Sequence, residues 1–433
     1  MSSLQDQGGR TLTPEVRRIG PKVIIGTGVG NTLEWFDWGI YATFATYISV
    51  QFFDSKNPTS ALLATLAVFG AGFLARPAGG WLFGWLADRV GRKLVMTLVV
   101  ASSAAGSLLI GLTPNFETIG VWASVILLFA RILQGLAHGG ELPTAQAYIS
   151  EMAPNDHRGL WSSLIYISGT IGTLLGVLCG VILTTTLSAD AMADYGWRIP
   201  FILGGVLGLY ALVLRRQMTE SVAFEKADAQ DEPKPRVLQE IVRHRKQAAQ
   251  VVGLTAGITV FSYAWAVSIP AYAISTLGVA PTPALIANLA AGSIFIALLP
   301  LWGKISDRIG RKPVLLIGVV GAVVLLFPMD ALLNSSALNL FVAMTVLYVF
   351  MSASSSILPA VYSELFPTRV RAVGIAIPYS IAVALFGGTA PFLQTWMGEQ
   401  FGRPAFISYL IALLVISGIV ITSLPETKGQ ELR

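Results

Sequence analysis

Twelve long apolar stretches constrain the fold of this chain more than any other feature of its sequence. A helix needs about 20 mostly apolar residues to cross a bilayer, whereas a membrane β-strand has about ten residues of alternating polarity. The stretches therefore predict an all-α integral membrane protein with twelve transmembrane helices, termed spans 1 to 12. They lie at residues 23–52, 61–86, 94–113, 120–148, 160–187, 197–214, 248–276, 284–303, 313–332, 338–361, 372–397 and 404–424.

The composition agrees with lipid as the main solvent. Hydrophobic residues make up 54% of the chain and charged residues 12%, and that charged share is about half of what soluble domains carry. The net charge of +5 does not imply nucleic-acid binding, because the basic residues follow the loops between spans. The single cysteine, Cys179, excludes an intrachain disulfide.

Basic residues indicate the orientation of the spans. If the N-terminus is cytoplasmic, all but five of the 29 Lys and Arg residues fall in cytoplasmic segments. Lys56, Arg198 and Arg403 lie in outer loops, and Arg76 and Arg131 lie within spans. Cytoplasmic loops carry the excess of Lys and Arg in membrane proteins. We therefore expect a multi-pass protein of the cytoplasmic (inner) membrane with both termini in the cytoplasm.

One long polar stretch divides the twelve spans into two sets of six. This division predicts five segments. They are an N-terminal cytoplasmic tail (1–22), an N-terminal six-helix bundle (23–214), a cytoplasmic linker (215–247), a C-terminal six-helix bundle (248–424) and a cytoplasmic tail (425–433).

Two loop motifs occur twice. Gly84-Trp-Leu-Ala-Asp88-Arg89-Val-Gly91-Arg92-Lys93 follows span 2, and Gly303-Lys-Ile-Ser-Asp307-Arg308-Ile-Gly310-Arg311-Lys312 follows span 8. Glu151-Met-Ala-Pro154-Asn-Asp-His-Arg158 follows span 4, and Glu364-Leu-Phe-Pro367-Thr-Arg-Val-Arg371 follows span 10. Either motif alone is explained as a basic anchor on the cytoplasmic side. Together, at nearly the same spacing, they indicate a duplicated six-helix unit, which is typical of secondary transporters with a midplane substrate site between the halves.

The charges of these loops are candidate gating groups, because charge pairs could close the cytoplasmic side in one state and break in the other. The candidates are Asp88, Arg89, Arg92, Glu151, Arg158, Asp307, Arg308, Arg311, Glu364 and Arg371. Glycines at positions 84, 91, 303 and 310 predict close helix approach and tight turns.

Six ionisable side chains lie well inside spans, away from the span ends, all in the N-terminal half, and such costly residues are functional candidates. They are Glu34, Asp37, Arg76, Arg131, His138 and Glu141. At 1.5 Å per helical residue, Glu34, Arg76, His138 and Glu141 all lie about 15–20 Å from the cytoplasmic loops.

Helical spacing also aligns polar residues on two faces. Arg131, Gln134, His138 and Glu141 share one face of span 4, and Asn31, Glu34, Trp38 and Tyr41 share one face of span 1. We predict that these two stripes line one water-filled cavity, with Asp37 rotated away toward span 2.

The chemistry of each group suggests its role. Carboxylates in low-dielectric surroundings can take up a proton near neutral pH, so Glu34, Asp37 and Glu141 are predicted to couple protons, together with His138. Guanidinium groups hold carboxylates bidentately, so Arg76 and Arg131 are predicted to bind an anionic substrate. The other predicted substrate contacts are Gln134, Asn31, Trp38, Tyr41 and, from the C-terminal half, Tyr263 and Tyr379.

Two structural alternatives stay open for the arginines. Arg76 could form a permanent pair with Asp37 or Glu34 that holds helices together, and Arg131 could snorkel to the outer surface. Prolines 270, 300, 359 and 378 are predicted to kink their helices.

The two Asp-Arg-x-Gly-Arg-Lys loops resemble the signature of the major facilitator superfamily, and Arg131-Ile-Leu-Gln134-Gly135 resembles its second motif. More narrowly, the sequence resembles the metabolite:proton symporter family, and within it the bacterial alpha-ketoglutarate permeases. The segments that carry this likeness are Asn31-Thr-Leu-Glu34-Trp35-Phe36-Asp37, Ala75-Arg76-Pro77-Ala-Gly79-Gly80, Gly139-Gly140-Glu141 and Gly196-Trp197-Arg198-Ile-Pro200-Phe201. The Pro425-Glu426-Thr427-Lys428-Gly429 segment resembles the tail of sugar porters, and we interpret it as a structural cap.

The resemblance implies proton-coupled symport of a small organic acid, alpha-ketoglutarate or a related dicarboxylate, by alternating access. Symport of a zwitterionic osmolyte such as proline or betaine, or of a hydroxylated ring acid, is the alternative. A uniporter without proton coupling is a closer rival than a substrate sensor on a transporter scaffold. No HExxH, paired CxxC, GxSxG or P-loop motif occurs, so we expect no enzyme activity and no cofactor. The expected partners are substrate, protons and lipid, without nucleic acid, and the expected state is a monomer.

Overall fold

The computed structural model describes residues 21–54, 56–90, 92–139, 146, 149–216, 242–367 and 370–432. At some helical positions, including 87–90 and 92–94, the description covers the backbone alone. The predicted proton-coupling residue Glu141 and most of the predicted linker lie outside the described residues.

The N-terminal half is built of six spans. Span 1 comprises helices Pro21–Thr43 and Ala45–Phe52, and the next five spans are Pro58–Val90, Arg92–Leu112, Val121–His138, Arg158–Thr186 and Ile199–Arg216. Short helices Phe116–Ile119 and Ala189–Asp194 lie in the loops after spans 3 and 5.

The C-terminal half repeats this plan. Span 7 runs through Arg245–Tyr263, a π-helix at Ala264–Ser268, and Ile269–Ser275. Spans 8 and 9 are Pro281–Ile309 and Arg311–Leu332, and span 10 is Ala337–Ser356 followed by Leu358–Leu365. Span 11 joins Arg371–Ala382, a π-helix at Val383–Gly387 and Ala390–Phe401, and span 12 is Arg403–Ser423.

The predicted all-α architecture is confirmed. Nine helices in the described ranges are long and apolar enough to cross a membrane, and Thr97–Leu112 is a shorter apolar helix. Span 1 differs from the predicted continuous stretch at 23–52, because it breaks at Phe44, where φ is −101° and ψ is 13°.

Prolines act on the spans in different ways. Pro270 is the second residue of the helix that follows the π-helix of span 7, whereas Pro378 lies inside Arg371–Ala382, the helix before the π-helix of span 11. The break in span 10 at Ile357 lies two residues before Pro359, whereas Pro300 lies inside one uninterrupted helix. Because π-helices and helix breaks bend a helix, such bends accompany Pro270 and Pro359, two of the four prolines at which kinks were predicted.

Spans 2 and 4 approach each other backbone to backbone. A Cβ atom on Gly135 would lie 1.9 Å from the Gly72 carbonyl oxygen, and one on Gly139 would lie 1.9 Å from the Arg76 carbonyl oxygen. Only glycine permits this distance, because any side chain would force the helices apart. The contact sets Arg76 of span 2 beside Arg131 of span 4.

We therefore predict that Gly135→Ala lowers the thermal unfolding temperature of the detergent-purified protein. The added methyl group overpacks the interface, which costs about 1–3 kcal/mol. Gly418→Ala is the matched control, because its Cβ would meet Val319 Cγ1 at an ordinary 3.6 Å. Equal unfolding temperatures for the two variants, measured by tryptophan fluorescence, would contradict the proposed role of the close contact.

Candidate functional site

Two arginines converge on one tryptophan. The guanidinium carbons of Arg76 and Arg131 lie 4.2 Å and 4.0 Å from the ring centroid of Trp38. Arg76 also lies 4.0 Å from the Phe73 ring, and Arg131 lies 4.3 Å from the Tyr41 ring. Trp38 therefore joins spans 1, 2 and 4 around two permanent positive charges.

Both arginines are buried and keep free hydrogen-bonding capacity. The residue exposure is 6% for Arg76 and 0% for Arg131. The snorkelling alternative for Arg131 is therefore wrong, because its side chain turns inward to the aromatic rings. The Nε and Nη2 atoms of both residues have no hydrogen-bond partner among the described residues.

A chain of hydrogen bonds runs from Arg131 to Asp37. Arg131 Nη1 donates to Gln134 Oε1 at 2.7 Å, and Gln134 Nε2 donates to Ser107 Oγ at 2.9 Å. Ser107 and Ser103 then donate to the two oxygens of Asp37, each at 3.0 Å. The predicted direction of Asp37 is wrong in this respect, because these bonds point it at span 3 rather than span 2.

Glu34 faces the imidazole of span 4. Glu34 Oε1 lies 3.6 Å from His138 Nδ1, and His138 Nε2 lies 3.4 Å from Ser103 Oγ. Glu34 and His138 are buried and Ser103 is half-buried, all within the N-terminal half. The predicted polar stripes of spans 1 and 4 thus meet directly, with Ser103 joining them from span 3.

Two predicted substrate contacts on span 1 form hydrogen bonds to neighbouring helices. The side-chain nitrogen of Asn31 donates to Ile165 O and Ser168 Oγ of span 5, and the Tyr41 hydroxyl donates to Thr65 O of span 2. These bonds fix the position of span 1. Their predicted roles in substrate binding stay predictions.

The C-terminal half contributes tyrosines. Tyr263 packs edge-on against Phe73, with ring centroids 5.1 Å apart, and Tyr379 packs against Tyr362 at 5.8 Å. Arg76 and Glu34 both interact electrostatically with Tyr263 and Tyr379. The charged cluster of the N-terminal half therefore borders the interface between the halves.

Sequence reasoning missed Ser103 and Ser107. Both lie on span 3 and bond to Asp37. Their spacing of four residues places two hydroxyl groups on one face of a mostly apolar helix. That pattern was a usable signal, although serines also occur in spans as simple packing residues.

The two copies of the second loop motif exchange partners. Arg158 Nη1 of the N-terminal half bonds to Glu364 Oε1 at 2.9 Å, and Arg371 Nη1 of the C-terminal half bonds to Glu151 Oε1 at 2.7 Å. Each arginine thus pairs with the glutamate of the other copy. These pairs tie the halves together at the end of the molecule that carries the repeated motifs, the motif end.

Asp307 and Arg311 extend this closure. Asp307 accepts hydrogen bonds from the N–H groups of Gly159 and Leu160 at 2.8 Å and 2.9 Å, so it caps the first turn of span 5. Arg311 bonds to Asp307 at 2.8 Å and to Glu364 at 3.2 Å. A Cβ on Gly303 would lie 2.7 Å from Gly159 O, and Gly310 has a φ of +110°. The predicted close approach and tight turn are confirmed at these two glycines.

The C-terminal segment covers the same cluster. Glu426 accepts hydrogen bonds from the N–H groups of Arg311 and Lys312 and so caps span 9, in agreement with the predicted structural cap. Burial alone would raise the pKa of the Glu426 carboxyl, but four backbone N–H donors lower it by more. The net pKa of this carboxyl therefore lies below its usual range. The cap therefore persists at neutral pH and weakens only as the pH falls through that lowered pKa.

Among the remaining gating candidates, the structure describes the side chain of Arg308 only. The Arg308 side chain is exposed, and its backbone carbonyl accepts a hydrogen bond from Lys428 Nζ. The side chains of Asp88, Arg89 and Arg92 lie outside the described residues.

Comparisons with known proteins agree with this architecture. The family described as "Sugar (and other) transporter" matches residues 23–254 and 240–433. The chain is similar to the alpha-ketoglutarate permease of Escherichia coli (strain K12), with 37% identity over 95% of this chain and 94% of the relative. It is also similar to a proline/betaine transporter of Salmonella typhimurium, with 30% identity over 95% and 85% of the two chains.

Solved structures show the same fold. The D-xylose-proton symporter superposes with a TM-score of 0.74 and 20% identity over 95% of this chain and 99% of that one. A partially occluded, inward-open form of the xylose transporter XylE from E. coli superposes with a TM-score of 0.72 and 19% identity, covering 95% and 99% of the chains.

We predict that Glu364→Gln opens the motif end. The substitution leaves Arg158 and Arg311 buried without their shared carboxylate, and removing one partner of a buried pair costs about 3–5 kcal/mol. A cysteine at Ser150, which is fully buried and donates to Pro359 O, reports the opening in a Cys179→Ser background. We expect N-ethylmaleimide to label it about tenfold faster or more.

Glu399→Gln serves as the control, because Glu399 is exposed at the opposite end of span 11. Unchanged labelling in Glu364→Gln, or equal acceleration in both variants, would contradict a gating role for Glu364.

Proposed function

Because the chain belongs to the sugar (and other) transporter family of the major facilitator superfamily and is a transporter rather than an enzyme, we propose that it is a proton-coupled symporter. Its proposed substrate is a small organic acid, alpha-ketoglutarate or a related dicarboxylate. It works by alternating access of two six-helix bundles across the cytoplasmic membrane. The relatives named alpha-ketoglutarate permease and proline/betaine transporter leave two substrate classes to weigh.

The observation that carries the anionic assignment is the pair of buried guanidinium groups. Arg76 and Arg131 each keep two nitrogen atoms without a partner in the described part of the chain, and guanidinium groups bind carboxylates through two parallel bonds. Two such groups beside one tryptophan suit a substrate with two carboxylates. The tyrosines of the C-terminal half lie at the same interface and could hold the substrate from the other side.

A zwitterionic osmolyte fits this arrangement less well. An ammonium group binds the faces of aromatic rings, but Arg76 and Arg131 already lie over Trp38, Phe73 and Tyr41. A ligand cation would have to displace a guanidinium group and would be repelled by the other. The proline and betaine alternative therefore requires a different arrangement of these arginines.

Charge balance supports proton coupling. With Glu34 and Asp37 ionised, the two arginines are neutralised within the site. Protonation of a carboxylate frees one guanidinium charge for a substrate carboxylate, so substrate and proton bind most favourably together. This proposal includes Glu141, which the sequence places on the same face of span 4.

The motif end supports the proposed transport cycle. Because basic loops favour the cytoplasmic side, we assign the motif end to the cytoplasm, with both termini on that side. The charge pairs between the halves then close the cytoplasmic side in this state, and they must break for the substrate to leave inward. The proposed units are the bundles at 23–214 and 248–424, joined by the linker, in a monomer.

We predict that dicarboxylates stabilise the purified protein against heat. Alpha-ketoglutarate should raise the unfolding temperature in wild type, and Arg76→Lys or Arg131→Lys should remove that shift because lysine cannot form two parallel bonds. A ligand present at 100 times its Kd stabilises by about 2.7 kcal/mol, enough for a measurable shift. Stabilisation by betaine or proline, but by no carboxylic acid, would contradict the dicarboxylate assignment.

We predict that Glu34→Gln and Asp37→Asn separate exchange from accumulation. Counterflow in proteoliposomes should continue, because it needs no net proton movement, while accumulation driven by a pH gradient should be lost. Glu117→Gln, on the exposed outer helix Phe116–Ile119, is the control. Full accumulation in both site variants would contradict their role, and binding without any uptake in wild type would favour a sensor.

A further inference from the structure

The hydrogen bonds around Asp37 define the state of the neighbouring imidazole. Ser103 Oγ donates its one hydrogen to Asp37 Oδ2 and lies 3.4 Å from His138 Nε2. Because Ser103 already donates its hydroxyl hydrogen to Asp37, His138 Nε2 must be the donor in the contact with Ser103 Oγ. In a neutral ring, Nδ1 then carries a lone pair, which faces Glu34 Oε1 at 3.6 Å. A protonated Glu34 can therefore donate its hydrogen to Nδ1.

Asp37 is arranged as a carboxylate. Both of its oxygens accept hydrogen bonds, one from Ser103 and one from Ser107, and an ionised acid only accepts. The structure thus combines an ionised Asp37 with a place for a proton between Glu34 and His138. The two carboxyl groups stand at opposite ends of one short chain of polar atoms.

The two carboxyl groups share one cavity but have different further neighbours. Glu34 interacts electrostatically with Tyr263 and Tyr379 of the C-terminal half. Asp37 Oδ1 lies against span 6, where a Cβ on Gly204 would be 2.8 Å from it.

A cavity of about 80 Å³ lies beside both carboxyl groups. Its lining includes Glu34, Asp37, Ser103 and His138, and every lining residue belongs to the N-terminal half. Its volume and polar groups suit bound water. The cavity therefore surrounds the polar chain without reaching residues of the C-terminal half.

We propose that His138 and Ser103 relay the coupling proton between Glu34, near the interface of the two halves, and Asp37, inside the N-terminal bundle. This inference rests on the proposed proton symport. Glu34 loses its proton to Nδ1 of His138, and Nε2 passes its proton to Ser103 Oγ. The hydroxyl proton of Ser103 moves to Asp37. One proton has then moved, Glu34 is ionised, Asp37 is neutral, and the ring is in its Nδ1–H tautomer.

In the other half of the transport cycle, the proton returns from Asp37 to Glu34 along the same path. This return restores the Nε2–H tautomer of His138 without another proton donor. The charged and titratable groups around the ring are Glu34 and Asp37 on span 1, Arg76 on span 2 and Arg131 on its own helix. Two permanent cations repel an imidazolium ion, so the ring passes the proton on instead of storing it. Approach of the ring by about 0.5 Å to Glu34 would complete the hydrogen bond.

The two serines of span 3 provide a matched test. Ser103→Ala and Ser107→Ala each remove one hydrogen bond to Asp37, but the path from His138 runs through Ser103. In proteoliposomes, we expect Ser103→Ala to slow proton-driven accumulation about tenfold or more, with counterflow within about twofold of wild type. Ser107→Ala should slow accumulation by less than about threefold. His138→Gln should match Ser103→Ala, and Ser103→Thr, which restores the hydroxyl, should recover accumulation.

Equal losses of accumulation in the two serine variants would overturn the relay, and so would parallel losses of accumulation and counterflow in Ser103→Ala. If His138→Gln does not fold, the serine pair and the threonine rescue decide the question alone. Wild-type protein that exchanges substrate but shows no proton-driven accumulation would instead overturn the proposed symport.

Discussion

The packing of two guanidinium groups against Trp38 is the interaction on which the site depends. A charge inside a membrane costs about 2.5–3.5 kcal/mol on insertion scales, and a cation–π contact returns only about 0.5–2 kcal/mol. The aromatic contacts alone therefore do not offset the burial of Arg76 and Arg131. The carboxylate of Asp37 interacts electrostatically with Arg131, so it contributes to the remaining compensation.

Close helix contact makes this cluster possible. Gly72, Gly135 and Gly139 bring spans 2 and 4 to backbone contact, which places both arginines beside span 1. Span 3 then reaches Asp37 through Ser103 and Ser107. At the motif end, the duplicated loops form a second charged cluster in which Arg158 and Arg371 pair with the glutamates of the opposite copy.

Much of the fold and part of the site could be predicted from the sequence. Apolar length identified the spans, and helical periodicity placed Glu34 and His138 on facing stripes, which the 3.6 Å contact between them bears out. Periodicity failed for Asp37, because the angle of a residue on its own helix does not specify which neighbour lies there. The break of span 1 at Phe44 was also invisible to an argument from apolar length, since the residues on both sides of it are apolar.

The sequence by itself determined the solvent, the twelve spans, the internal duplication and the short list of intramembrane charges, because bilayer thickness and desolvation cost act on each segment separately. Only the tertiary structure decided how those charges are partnered. It turned Arg131 inward to Trp38, directed Asp37 to the serines of span 3, and crossed the glutamate–arginine pairs between the two halves. These outcomes depend on which helix faces meet, and that is set by glycine contacts and packing between residues far apart in the chain.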